Sequence, residues 1–203
     1  VAGGVYGHAR PEGYTSMITL VFGRRAGLFA AQASKEVAYP DLDLDAVRAS
    51  LARATALVER QGGFKPGRAK AEIRKTMRRH AWVIKEEEGL SKGLGEISEI
   101  KEIERRRALD STSRFKPRDE FEWASALEVP NLLLVSEMMF RGSLERRESR
   151  GAFFRDDYPE IDNENWLKNI IYRQVDGELV LETVPVDLKY CAPETERAAS
   201  RTK

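Results

Sequence analysis

Between Tyr14 and about Ser34, the apolar residues Met17, Leu20, Val21, Leu28 and Phe29 recur at helical spacing. The pattern predicts a helix with Thr15 or Ser16 as its N-cap. Gly23, Ala26, Gly27, Ala30 and Ala31 are interleaved and suit close packing against another element. Such a helix is too apolar to stand in water alone; it requires a larger body to cover it. After Tyr39-Pro40, the spacing of Val47, Leu51, Ala54 and Val58 predicts a second helix from Asp43 to Arg60. Gly62, Gly63, Pro66 and Gly67 interrupt it, and a third helix is expected from Arg68 to Ala81, continuing or restarting through Lys85.

A fourth helix carries Leu90, Leu94, Ile97, Ile100 and Ile103 as its apolar stripe. Glu102 and Arg106 stand four apart on its outer side, where they can pair. Residues 111–118 read as a loop, Glu120–Leu127 as a helix, and Pro130 as the opening of a longer one. The expected core face of that last helix is Leu132, Val135, Met139 and Gly142, with its end near Gly151. An irregular stretch runs from Phe153 to Trp166. Ile170–Val175, Asp176-Gly177 and Glu178–Val184 then predict a hairpin. The tail Cys191–Lys203 is polar and is expected to be disordered. The fold class is mainly α: a loop-and-helix head, a helical bundle of three main helices, and a short β-hairpin. The expected divisions are residues 1–38, 43–151, 152–190 and 191–203.

Composition narrows the function. The 203 residues include 34 Lys+Arg and 33 Asp+Glu, so the net charge of +1 lacks the basic excess of a nucleic-acid binder. Mixed-charge helix faces are the simplest use of such a balance. Cys191 is the single cysteine, which forbids an internal disulfide and fits a reducing compartment. No apolar run approaches the roughly 20 residues that span a bilayer. The opening Val1-Ala2-Gly3-Gly4 has no initiator Met and reads like the middle of a loop, so the chain is expected to begin inside a longer parent. His8 and His80 are the only histidines, too few for a multi-histidine metal cluster. There is no phosphate-binding loop and no Gly-x-Gly-x-x-Gly after a strand.

Two stretches stand out. Gly3-Gly4-Val5-Tyr6-Gly7-His8-Ala9-Arg10-Pro11-Glu12-Gly13 is a Gly-rich loop feeding the amino end of the first helix. Free backbone N–H groups at such an end favour an anionic or electron-rich partner. Arg10, held by Pro11, can offer a bidentate fork to a carboxylate. On spacing alone, a capped helix with a surface arginine is the simpler reading. The second stretch, from Leu144 through Arg150-Gly151, Arg155-Asp156-Asp157-Tyr158-Pro159 and Asp162 to Trp166, is a charged helix end followed by an acidic loop. By itself it reads as salt-bridged docking.

Both stretches resemble the flavoproteins of the succinate dehydrogenase/fumarate reductase family, with the L-aspartate oxidases as relatives. The first is similar to the family's G-G-V-H-G-x-N-R-L-G-G-N-S-L followed by V-F-G-R-x-A-G, and Val21-Phe22-Gly23-Arg24 and Ala26-Gly27 match outright. The second is similar to E-R-x-E-S-R-G-x-H-x-R-x-D-Y-P-x-x-D-x-x-N-W, with Phe153 at the family's His. Arg74 and Met77 also resemble its first bundle helix. Ala9, Pro11-Glu12 and Tyr14 depart from the pattern and alter the substrate side of the loop.

The resemblance implies an FAD shared with an amino-terminal part that this segment lacks. It implies Arg10 at a substrate carboxylate, and Gly13, Thr15, Ser16 and Met17 along the flavin. It implies hydride exchange between flavin and a carboxylate substrate, with no catalytic residue in this segment and no turnover by the segment alone. The implied partners are the remainder of the FAD domain and an iron–sulfur electron-transfer subunit, with no nucleic acid and no direct membrane span. The implied place is cytoplasmic, peripheral to the inner face of the membrane. Two other readings remain open from the residues: a non-enzymatic docking subunit, and a related flavoenzyme with a different substrate, as Pro11-Glu12 and Tyr14 suggest.

Overall fold

The computed structural model describes residues 14–39, 41–59, 65–109 and 120–189. In chain order the elements are α1 (Tyr14–Glu36), α2 (Leu44–Glu59), α3 (Pro66–His80), β1 (Ile84–Lys85), α4 (Glu87–Leu109), α5 (Glu120–Glu145), β2 (Phe154–Arg155), β3 (Lys168–Val175) and β4 (Glu178–Pro185). They fall into two units, residues 1–161 and residues 162–203. The protein is mainly α, as its periodicity predicts.

In the first unit, α3, α4 and α5 pack against one another. Their buried positions explain why. Pro66, Ala69, Ile73, Thr76 and His80 are buried on α3, and Leu90, Gly93, Ile97, Ile100 and Glu104 on α4. Val129, Leu133, Ser136 and Phe140 do the same on α5. Alternating steps of three and four residues keep a narrow seam on one side of each helix, the spacing of bundle cores. Met77, Leu94, Leu132 and Leu144 fill in around that core.

Local chemistry sets the helix ends. Asp43 caps α2, its Oδ1 accepting from the backbone N–H of Asp45 at 3.1 Å and Ala46 at 3.0 Å. Pro66 opens α3, where a missing N–H costs nothing, and Arg78, Arg79 and His80 close it against the negative end of the helix. Glu87 and Glu88 occupy the first turn of α4, the favourable end for carboxylates.

Several expectations shift. The third helix stops at His80 rather than running through Lys85, because Ile84 and Lys85 pair in parallel with Phe154 and Arg155. A two-residue strand with a partner some 70 residues away leaves no local periodic signal. Glu120–Leu127 and the helix at Pro130 are one element, with Pro130 inside α5. That proline has no N–H to give the carbonyl of Ala126, yet packing carries the helix through. The core face of α5 is Val129, Leu133, Ser136 and Phe140, one position away from the expected Leu132, Val135 and Met139; Val135 and Met139 are exposed. Leu132, Leu133, Leu134 and Val135 are consecutive and apolar, so spacing could not choose among them. Thr15 and Ser16 lie within α1, not at an N-cap.

The second unit carries the hairpin. β3 and β4 pair antiparallel from Lys168↔Pro185 to Val175↔Glu178. Asp176 has φ 50 and Gly177 φ 85, so both turn residues are left-handed. That is the two-residue turn whose twist matches the strands, and the reason Asp-Gly signals it. Asp162 Oδ1 accepts from the N–H groups of Glu164 and Asn165 at 3.1 and 2.9 Å and folds the approach to β3. The tail beyond Lys189 lies outside the described residues, as does Cys191.

Candidate functional site

The expected flavin edge is the first turn of α1. Arg10 and Gly13 lie outside the described residues. Thr15 is half-buried, Ser16 is exposed and Met17 is 49% exposed, so these three share one open helical turn. The first turn holds no acidic residue, and Lys35 sits in the last. The positive end of the helix dipole is therefore not offset by a carboxylate of α1.

No residue of α1 is buried. Leu20 is 75% exposed and Phe29 65%, with Val21, Phe22 and Leu28 also open. The sequence pattern predicts a helix in need of cover, and the geometry leaves that cover to something outside the described residues. Gly23 and Gly27 have nothing within 4 Å of where a Cβ would stand, which leaves room for a close neighbour.

The second stretch resolves into salt-bridged structure. Glu148 is fully buried between two arginines. Arg150 grips it in a fork, Nε to Oε1 at 2.8 Å and Nη2 to Oε2 at 2.7 Å, while Arg146 donates to Oε1. Arg155, also fully buried, donates from Nη1 to the backbone oxygens of Ser143 and Arg146 and forks onto Asp157. Asp157 in turn accepts the backbone N–H of Glu87 at 3.0 Å. The Arg155 hydrogen bonds hold the Asp157 carboxyl below its usual range, outweighing the opposing effect of burial. Arg155 also lies 5.0 Å from the centre of the Tyr158 ring. Phe153, at the family's histidine position, sits 5.1 Å from Lys85 Nζ as a cation–π partner. Burial, reinforced by the Arg155 charge, lowers the Lys85 pKa. These groups fasten β1, β2, α4 and α5 together.

The sequence reading missed a polar node. His80 Nε2 donates to Glu96 Oε1 at 3.2 Å, and Thr76 Oγ1 donates to Glu96 Oε2 at 2.7 Å. Burial pushes the Glu96 carboxyl up, but the Thr76 and His80 hydrogen bonds and the His80 and Arg79 charges hold it below its usual value. The phase Ala69, Ile73, Thr76, His80 would have placed both α3 members on the buried seam. Beside the node, Lys75, Arg79, Glu96 and Glu99 line an open cleft of about 370 Å³. Among the described residues, no group of three His, Cys, Asp or Glu side chains could hold a metal ion.

Known proteins agree with this architecture. The family model for the fumarate reductase flavoprotein C-terminus matches residues 70–199. The succinate dehydrogenase flavoprotein subunit of Coxiella burnetii is 34% identical over 179 residues, 87% of this chain but 30% of that protein. The E. coli quinol fumarate reductase FrdA structure superposes with a TM-score of 0.70 at 28% identity, over 86% of this chain and 30% of that one. The Mycobacterium smegmatis Sdh1 complex gives 0.69 at 32% identity, over 82% and 28%. The chain thus spans about 30% of the length of the curated relatives it matches. The match covers most of the bundle and the hairpin unit, and the chain belongs to the succinate dehydrogenase/fumarate reductase flavoprotein family, corresponding to its carboxy-terminal part.

Proposed function

We propose that this chain is the carboxy-terminal portion of an FAD-dependent oxidoreductase that exchanges a hydride between flavin and a carboxylate substrate. The observation that carries the reading is α1: an apolar helix with no buried residue, Ser16 and Met17 lying exposed in its first turn. In this proposal the remainder of the FAD domain covers the apolar face. Gly13, Thr15, Ser16 and Met17 then border the flavin, which supplies the hydride chemistry when bound. Arg10 orients the substrate carboxylate through a two-pronged hydrogen bond. No residue of the segment acts as proton donor, so it does not turn over alone. Residues 1–38 are the edge of the FAD domain and residues 43–151 the bundle that braces it.

An iron–sulfur subunit is the electron-transfer partner in this reading. No described helix is long and apolar enough to cross a membrane, and attachment to the inner face would come through such partners. The loop around Arg10 supports a second reading of the substrate. Pro11-Glu12 places a carboxylate two residues from the arginine, and Tyr14 adds bulk, which favours an unsaturated acid other than fumarate.

The test is co-production of the chain with the remaining part of the flavoprotein. Bound flavin absorbance is expected only when both are present. Arg10→Ala is expected to raise KM for the carboxylate substrate at least tenfold while flavin stays bound. A complete flavoprotein that holds no flavin, or an Arg10→Ala enzyme with unchanged KM, overturns the proposal. A panel of unsaturated acids separates the two substrate readings.

A further inference from the structure

The two sides of α3 differ sharply in charge. The inner side holds Ala69, Ile73, Thr76 and His80 in the bundle. The outer side exposes Arg74, Lys75, Arg78 and Arg79. Their carboxylate contacts are slack: Lys75 is 3.9 Å from Glu72, and Arg79 is 3.7 Å from Glu96. Arg78 instead lies 6.0 Å from the centre of the Trp82 ring. Trp82, Val83 and Ile84 follow directly, 62%, 59% and 66% exposed.

Three consecutive large apolar side chains in water are unfavourable unless something covers them. Their exposure is not fraying. Ile84 is paired with Phe154, and the Lys85 carbonyl accepts the N–H of Asp156 at 2.8 Å, so the knuckle is anchored on both sides. An apolar knob beside slackly paired arginines has the composition of an interface hot spot, where Trp and Arg are enriched.

We propose that the outer face of α3, with the Trp82–Ile84 knuckle, docks an acidic surface of a partner protein. Trp82 and Ile84 enter an apolar depression, and Arg74 and Arg78 meet carboxylates at its rim. The apolar part is one short knuckle and the exposed helix face is cationic, whereas a helix lying in a bilayer needs an apolar face of its own. The chain's net charge of +1 also provides little long-range attraction to a lipid surface or nucleic acid, so recognition rests on local fit. The surface is made by residues of α3 and the knuckle, none of which is placed at the flavin, so its test does not depend on that reading.

The test uses the complete assembly that contains this chain, treated with a zero-length carbodiimide cross-linker at low salt. Lys75 is expected to join to an Asp or Glu of a separate polypeptide. Arg74→Glu with Arg78→Glu is expected to release that polypeptide while helicity and melting temperature stay unchanged. Trp82→Ser alone is expected to weaken its binding about tenfold or more, and it decides the matter should the double variant melt early. Cross-links confined to the chain's own polypeptide overturn the proposal, as does a partner retained by both variants. Binding of the chain to phosphatidylserine/phosphatidylcholine vesicles that the double variant abolishes also overturns it, in favour of a lipid surface.

Discussion

Arg155 and Asp157, two residues apart, join the carboxyl end of one helix to the amino end of another. Arg155 supplies positive charge and N–H donors to the backbone oxygens of Ser143 and Arg146, where α5 ends. Asp157 supplies negative charge to the first N–H of α4, at Glu87. Each charge answers the sign of the helix end it touches, and the buried Arg155 is neutralised by a more exposed Asp157.

Removing Arg155 should therefore be costly. Arg155→Ala leaves the carbonyls of Ser143 and Arg146 without these donors and takes the ion-pair partner from Asp157, and a loss of about 3 kcal/mol is expected in urea unfolding. Arg155→Lys keeps the charge without the planar fork and should recover less than half of it. Asp157 has a lowered folded pKa, so its contribution is present above the ordinary aspartate value of about 4 and disappears as pH falls through the folded value. Asp157→Asn should flatten that acid limb and leave the neutral region sloped as before.

Two glycines of α4 should respond in opposite directions. A Cβ on Gly93 would stand 2.4 Å from the Phe140 ring and 2.8 Å from His80 Cβ, so Gly93→Ala should cost about 1–3 kcal/mol. Phe140→Leu made in that background should recover part of the loss. Gly95 has nothing within 4 Å and lies on the exposed side, so Gly95→Ala should stabilise by about 0.5–1 kcal/mol through helix propensity. Thermal melts of the three variants check both signs.

Glu102 should titrate far from a free glutamate. Hydrogen bonds from Arg105 and then Arg106 pull its pKa down to about 2. Carbon-13 NMR of the carboxyl in low salt should find that midpoint. Molar salt should move it upward, because both arginines are exposed and their pull on Glu102 is screened.

The node at Glu96 offers a finer test. Thr76→Val removes the 2.7 Å hydrogen bond while keeping the shape of the side chain. The Glu96 midpoint should rise toward the ordinary glutamate value, and stability at neutral pH should fall by about 1 kcal/mol. An unchanged midpoint would show that His80 and Arg79 set the Glu96 pKa without Thr76.

The legible parts of this molecule are those in which a short sequence carries its own geometry. Asp176-Gly177 announced its turn, Leu90, Ile97 and Ile100 announced a helix face, and Glu102 found Arg106 four residues on. What stayed hidden depends on partners distant in sequence. The strand at Ile84–Lys85 exists because Phe154 and Arg155 come alongside. Pro130 reads as a helix start locally and sits mid-helix because Val129 and Leu133 are held in the core. At the candidate site, the Gly-rich loop signalled a helix amino end, but the N-cap expected at Thr15 or Ser16 lies inside α1 instead. The need for cover was readable too, from Met17, Leu20, Val21, Leu28 and Phe29, and α1 buries no residue.

That helix has a thermodynamic consequence. The bundle's ordering rests on contacts made within the chain, whereas no residue of α1 is buried, so its order leans on bonds inside the helix and on local propensity until a covering surface arrives. Its population is then set by mass action, rising with the concentration and affinity of whatever binds it. Amide exchange should divide the protein into two classes, slow in α3, α4 and α5 and fast in α1, with the fast class slowing only on assembly.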